Sequence, residues 1–323
     1  FPLVLLTFCY YHTDAYDKCL TVAKKALTLG YSMDQNLALM MAASYGELKR
    51  FKEAEQLLAQ LCEKPGATAE AWIARGNCAA YQEKFTEAAN YYQKALTLEP
   101  GNADALYHLA ICKLATNKNE VGLKELEAAV NAAPKAVKLR LFRAELLFKL
   151  KRYNEALADY KILEELAPDN YKVFRGEAAV LALSGQFDAI LAKAERACQL
   201  KPEDAPSQLL RATCLAAYNR FDEAKVAFDM AVKYGDEGSQ YYLARARFLS
   251  GQKKYKESLE DYDKGLKAGE ETDEQLAERL LPLIELGLNE RVFKDVNTLT
   301  AHGYDGSWLY LVRGTVNATR GNY

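Results

Sequence analysis

A spacing of 34 residues constrains this chain more than anything in its composition. Aromatic residues stand at Phe51, Phe85, Tyr153, Phe187, Phe221, Tyr255 and Tyr323, all separated by multiples of 34, with Asn119 and Asn289 at the two omitted steps. A second ladder, almost all small residues, runs through Ala42, Gly76, Ala110, Ala144, Ala178, Ala212, Ala246, Leu280 and Gly314. A third runs Ala54, Ala88, Gly122, Ala156, Ile190, Ala224, Ser258 and Val292, and prolines recur at Pro100, Pro134, Pro168 and Pro202. Self-similarity at a fixed period marks a stack of identical supersecondary units, none of which can bury its apolar face alone.

With the unit counted from residue 35, the ladders fall at positions 8, 17, 20 and 32. Small residues at 8 and 20 let two helices of a hairpin approach closely, so that an aromatic at 24 fills the space beside them. Proline at 32 cannot continue a helix, and it biases the residue before it away from helical torsions. Gly and Asn at the turns, as in Ser184-Gly185-Gln186, punctuate the helices, and no segment alternates with period two. The expectation is helices throughout and no sheet.

At these residues the chain resembles the tetratricopeptide repeat family, whose helix-turn-helix units carry small residues at 8, 20 and 27 and proline at 32. Residues 69–102 are the clearest copy, with Trp72, Gly76, Phe85, Ala88, Tyr92, Ala95 and Pro100 at positions 4, 8, 17, 20, 24, 27 and 32. The resemblance covers the whole chain and implies an all-α fold, a right-handed superhelical solenoid of helix-turn-helix repeats. Repeats are expected at 35–68, 69–102, 103–136, 137–170, 171–204, 205–238, 239–272 and 273–306, preceded by a slightly shifted repeat at 1–34 and followed by a half repeat at 307–323. Phe1 is not an initiator Met, and the chain stops at Gly321-Asn322-Tyr323 inside a turn, so the parent protein is expected to continue beyond both ends.

Charge excludes some functions. Lys and Arg total 42 against 44 Asp and Glu, a formal net charge of −2 without a polybasic run, so neither nucleic acid nor an anionic membrane is an expected partner. The apolar opening, Phe1 to Tyr11, falls short of the roughly 20 residues that cross a bilayer. It also lacks a secretory cleavage pattern.

Chemistry is sparse. Cys9, Cys78, Cys112 and Cys214 share position 10, which elsewhere holds Leu146, Val180 or Phe248. Cys62 and Cys198 share position 28, and Cys19 takes a small-residue place. Thiols that trade places with Leu, Val and Phe read as buried, reduced packing groups, which suits a reducing, cytoplasmic location. His12, His108 and His302 are scattered, phosphate loops are missing, and acid pairs such as Glu164-Glu165 and Glu270-Glu271 read as solvated charges near helix ends. The sequon Asn317-Ala318-Thr319 falls in an expected helix. No catalytic residue, metal or cofactor is expected.

What remains is surface. The resemblance implies a concave groove lined by positions 2, 5, 9 and 12 of each first helix, one helical stripe by spacing. It selects Asn77, Tyr107, Ile111, Lys138, Phe148, Lys172, Arg175 and Arg247 as partner-binding residues, with Leu114, Leu141, Glu145, Leu209, Thr213 and Gln240 on the same stripe. Lys138, Lys172, Arg175 and Arg247 suit a protein or peptide partner with acidic character. The carboxylate clamp of chaperone-adaptor members is disfavoured: position 5 never holds Lys, and Asn77, His108 and Lys138 are followed by Phe142 where Arg is required.

Three functions fit: a non-catalytic scaffold organising a multi-subunit assembly, the recruiting arm of an enzyme whose catalytic domain lies outside residues 1–323, or a peptide-binding adaptor for targeting or transport. Residues 273–306 are expected to be irregular, because Leu280, Val292 and Leu299 replace small residues and Pro282 falls inside a helix. Either superhelical pitch changes there, giving a hinge, or the bulky residues repack and a local bend absorbs the proline.

Overall fold

A computed structural model describes residues 2–184, 187–235, 238–269, 271–304 and 309–314. The turn at Gly185-Gln186, Glu270, the sequon at 317–319, the end at 321–323 and most of the expected half repeat lie outside those residues. The fold is all-α helical repeats, with no strand among the described residues. Backbone contacts divide the chain into two compact units, Phe1–Lys151 and Arg152–Tyr323.

The first unit contains α1 (Pro2–His12), α2 (Tyr16–Thr28), α3 (Gln35–Glu47), α4 (Phe51–Cys62), α5 (Ala69–Tyr81), α6 (Phe85–Leu98), α7 (Ala103–Ala115), α8 (Asn119–Ala132) and α9 (Val137–Lys149). The second contains α10 (Tyr153–Leu166), α11 (Tyr171–Leu181), α12 (Phe187–Leu200), α13 (Ala205–Ala217) and α14 (Phe221–Tyr234). It continues with α15 (Ser239–Gly251), α16 (Tyr255–Ala268), α17 (Asp273–Glu285) and α18 (Asn289–Ala301). From α3 onward every first helix begins at position 1 and every second helix at position 17.

Start and stop signals repeat with the helices. Position 34 supplies N-caps: Asp34, Thr68, Asn102, Asn170 and Asp204 each accept a backbone N–H two or three residues on, and Thr272 forms a capping box with Gln275. The second helices α6, α8 and α10 end two residues before Pro100, Pro134 and Pro168. Between the two helices of a repeat, position 15 takes a left-handed backbone. Only Gly287, among the described residues at that place, is glycine; Lys49, Glu83, Asn117, Lys151, Asn219 and Lys253 adopt φ of 56–61°. The expectation of Gly and Asn at the turns therefore holds for only some repeats, and four charged residues bear the steric cost that glycine would avoid.

The core follows the ladders. Ala88, Ala110, Ala144, Ala156, Ala178, Ala212, Ala224 and Ala246 are fully buried, and Tyr92, Tyr160 and Tyr262 at position 24 are among the largest enclosed side chains. A Cβ placed on Gly76 would meet the Tyr92 ring at 2.5 Å, and one on Gly176 would run into the Tyr160 ring. In the last described repeat, Leu280, Val292 and Leu299 are fully buried in one cluster with Leu276, Leu283 and Val296. The bulky residues repack, α17 runs unbroken through a buried Pro282, and α17 and α18 approach closely over less of their length than α5 and α6 do.

Six of the seven cysteines are buried free thiols. Cys9 is the exception to the packing argument: it is exposed, because α1 is apolar on every side and not all of its residues face a neighbour. Burial pushes the thiols of Cys62, Cys112 and Cys198 up to about 11. Under native conditions, thiol labelling read by mass spectrometry is expected to modify Cys9 within minutes and the other six only slowly. Rapid labelling of Cys112 or Cys198 would contradict the packing. Glycine substitutions separate two roles: Gly76→Ala forces a shift of Tyr92 and costs about 1–3 kcal/mol. Gly46→Ala faces open space and gains about 0.5–1 kcal/mol of helix propensity. Denaturant midpoints measure both.

Candidate partner-binding surface

The first-helix stripe can be followed residue by residue. In the first unit, Asn77 is half-buried and its Oδ1 accepts a hydrogen bond from the Tyr92 hydroxyl at 2.7 Å. Tyr107 anchors an aromatic group: Phe142 meets it edge-on at 5.5 Å, His108 lies beside it at 5.2 Å, and the Lys138 ammonium sits 5.0 Å from its ring centre. His108 also stacks on Tyr92, and burial holds its imidazole below the usual range. Ile111 and Phe148 are half-buried, and Lys138 is exposed. These residues place Lys138 on an aromatic cushion that fixes its position while leaving its charge in solvent.

In the second unit the basic residues behave differently. Lys172 is exposed, but Arg175 donates to Asp204 at 3.0 Å and Arg247 to Glu278 at 2.7 Å. Asp204 is the N-cap of α13, so Arg175 braces the next repeat. Two of the four cations read as ligands for an acidic segment are thus engaged with carboxylates of this chain.

A cleft of about 550 Å³ opens among α1, α3 and α5. Its wall includes Asn36, Leu39, Ala43, Gly46, Glu70, Ile73 and Asn77, all at positions 2, 5, 9 or 12, together with Phe8, Tyr11 and His12 of α1. Of the selected residues only Asn77 belongs to it. The others were missed because Ala43 and Gly46 look like packing residues, whereas their lack of side chain is what leaves the space.

One cluster of titratable groups stands apart from the stripe. Glu164 of α10, Glu177 of α11 and Lys193 of α12 meet in the second unit: Lys193 bonds Glu164, and its Nζ is 2.8 Å from Glu177 Oε2. That second approach is a charge contact without the alignment of a hydrogen bond. Glu164 is therefore not the solvated helix-end charge its sequence suggests, because packing of α12 carries a lysine over it. Glu177 is 3% exposed. Its burial, then the Glu164 carboxylate beside it, pushes its carboxyl up to about 7 against the pull of Lys193. Perturbed carboxylates can mark active sites; this pair is tied to a lysine and lies outside the cleft lined by Asn77. Among the described residues no group of three or more His, Cys, Asp or Glu side chains could hold a metal, and no helix is long and apolar enough to cross a membrane.

The repeat pattern has matches among known proteins. Models of the tetratricopeptide repeat match residues 39–103 and 79–136. The chain is 28% identical over 133 residues to Hsp70-Hsp90 organizing protein 1 of Glycine max, a match spanning 40% of this chain and 23% of that protein. It is 33% identical over 115 residues to protein O-mannosyl-transferase TMTC3 of Homo sapiens, spanning 35% and 12%. Less than a quarter of either relative is covered. Among solved structures, the C-terminal part of a TPR repeat-containing protein from Cytophaga hutchinsonii superposes with a TM-score of 0.60 at 13% identity, covering 74% of this chain and 97% of that one. The Cut9-Hcn1 hetero-tetramer of the APC/C gives 0.57 at 14% identity, covering 87% and 55%. At such identities the likeness is one of fold.

The buried acid pair sets a pH dependence. Folded Glu177 keeps its proton up to about 7, whereas an unfolded glutamate loses it near 4.3. Its contribution to stability is therefore present at low pH and lost as pH rises through that window. Glu164, held below its ordinary range, acts only on the acid side of it. Between pH 5 and pH 8 the denaturant midpoint is expected to fall in the native chain relative to Glu177→Gln, in which the depressed His108 imidazole tilts the slope the other way. An equal slope in both would remove the assignment.

Proposed function

Because the chain is a tetratricopeptide repeat protein, we propose that it is a non-catalytic scaffold that holds other protein subunits together through the exposed face of its first helices. Protein–protein interaction is the general business of such repeats; the organising role is the finer step. The observation that carries it is the Tyr107 group, where an exposed lysine is held over an aromatic ring beside half-buried Ile111. An anchored tyrosine beside partly dry apolar surface is the composition of an interface hot spot, and the lysine beside it supplies charge at the rim.

The reading does not rest on an acidic partner. Arg175 and Arg247 pair with Asp204 and Glu278 of this chain, although Arg247 stays exposed, as Lys138 and Lys172 are. Site-specific photo-cross-linking of the natural complex tests the proposal. A cross-linker at Ile111 or Phe148 is expected to capture two or more different subunits, and one at Val226, exposed on the second helix α14, to capture none. Tyr107→Ala combined with Lys138→Glu is expected to weaken subunit retention about tenfold, close to 1.4 kcal/mol. Capture from Val226 alone, or full retention by the double variant, would move the interface off the first helices.

A further inference from the structure

We infer that the cleft among α1, α3 and α5 accepts an extended, apolar protein segment carrying two basic side chains. This deepens the scaffold reading by naming the chemistry of one partner segment. The floor is apolar, with Leu39, Ile73 and Phe8, and small residues keep it deep: a Cβ on Gly46 would meet nothing within 4 Å. Phe8 is 49% exposed and Tyr81 68% exposed, so rings that a folded chain ordinarily covers stand at the edge of the cleft in solvent.

The charge on the rim chooses the partner. Glu47 and Glu70 line the cleft and both are exposed, while no lysine or arginine lines it. Glu47 ends α3 and Glu70 lies in the first turn of α5. Alternate helices of a hairpin stack run the same way, so the two carboxylates stand at opposite ends of the cleft. The separation along the helices is about eleven residues, roughly 17 Å. That is about five residues of extended chain.

The Glu47 end is the stronger cation position. The C-terminal ends of α1, α3 and α5 contribute partial negative charge there, and the rings of Tyr11 and Tyr81 line the same end. A carboxylate beside aromatic faces and helix carbonyl ends is suited to a guanidinium or ammonium group. An acidic segment would meet like charge at both ends. The cleft and the Lys138 group thus have opposite electrostatic preferences within one unit.

Fluorescence anisotropy with the 323-residue chain provides the test. The probe is a short labelled peptide with two arginines about five residues apart and leucines between them; the control carries glutamate in place of both arginines. The arginine peptide is expected to bind with an affinity that falls with salt, and the glutamate peptide at least tenfold more weakly. Glu47→Gln with Glu70→Gln is expected to reduce binding of the arginine peptide about tenfold, and Gly46→Leu, whose Cβ meets nothing within 4 Å, to reduce it further by filling the cleft. Circular dichroism confirms that Gly46→Leu is folded, and the charge variant, altered only at exposed residues, stands independently of it. Equal or tighter binding of the glutamate peptide, no binding of either, or unchanged affinity in both variants would overturn the inference. The scaffold reading is judged separately, by cross-links from Ile111 and Phe148, and survives a failure here.

Discussion

A tyrosine ring pressed against helix backbone sets the spacing on which both units depend. At Gly76 the Tyr92 ring occupies the place of a missing Cβ, and at Gly176 Tyr160 does the same. A ring that close needs a helix with no side chain at the contact, and it leaves a hydroxyl that requires a partner. Asn77 supplies it for Tyr92. The residue next to the glycine is thereby oriented by the core while lining the cleft outside, so packing and recognition share one side chain. Stacking then follows from repetition, since each pair of helices offers its neighbour the same surface at the same height.

The ladders at positions 8, 20, 24 and 32 were legible because each position tolerates a narrow range of residue sizes, and size is visible in sequence. The N-cap ladder at position 34 was equally open to reading: Asp34, Thr68, Asn102, Asn170, Asp204 and Thr272 all carry a side-chain oxygen that can accept the orphan N–H of a helix start. The left-handed turn residue was not, since Lys49, Glu83, Lys151 and Lys253 carry no composition signal for positive φ. There the flanking helices impose the torsion and override local preference.

The candidate surface was half legible. The family resemblance supplied the stripe, whose positions share one helical face; Tyr107 and Lys138 meet on it, and Asn77 lines the cleft. Spacing could not tell a solvated cation from a bracing one, because Arg175 and Arg247 find Asp204 and Glu278 about one repeat further along the chain. Nor could it find the cleft, whose defining residues are those with least side chain. Electrostatic partnership across repeats and empty space are both relations between elements, and a single helix pattern records neither.

A feature of the second unit bears on how such a chain can change. In the repeats that begin at Ser239 and Asp273, positions 7 and 23 are joined by a charge pair, Arg245 with Asp261 and Arg279 with Asp295, and each arginine also reaches back to Asp229 or Asp263 at position 25 of the preceding repeat. In the repeat that begins at Tyr171 the polarity is reversed, with Glu177 at 7 and Lys193 at 23. These rungs act as keys. An in-frame loss of residues 239–272 would bring Asp229 to Arg279 and leave every key matched. Loss of residues 171–204 would remove the reversed key with the lysine that Glu164 bonds, and would bring Arg211, at position 7 of the next repeat, to the place of Glu177. Two deletions of the same length, invisible to the hydrophobic period, are therefore unequal in charge: one keeps the polarity of the rungs and the other changes it.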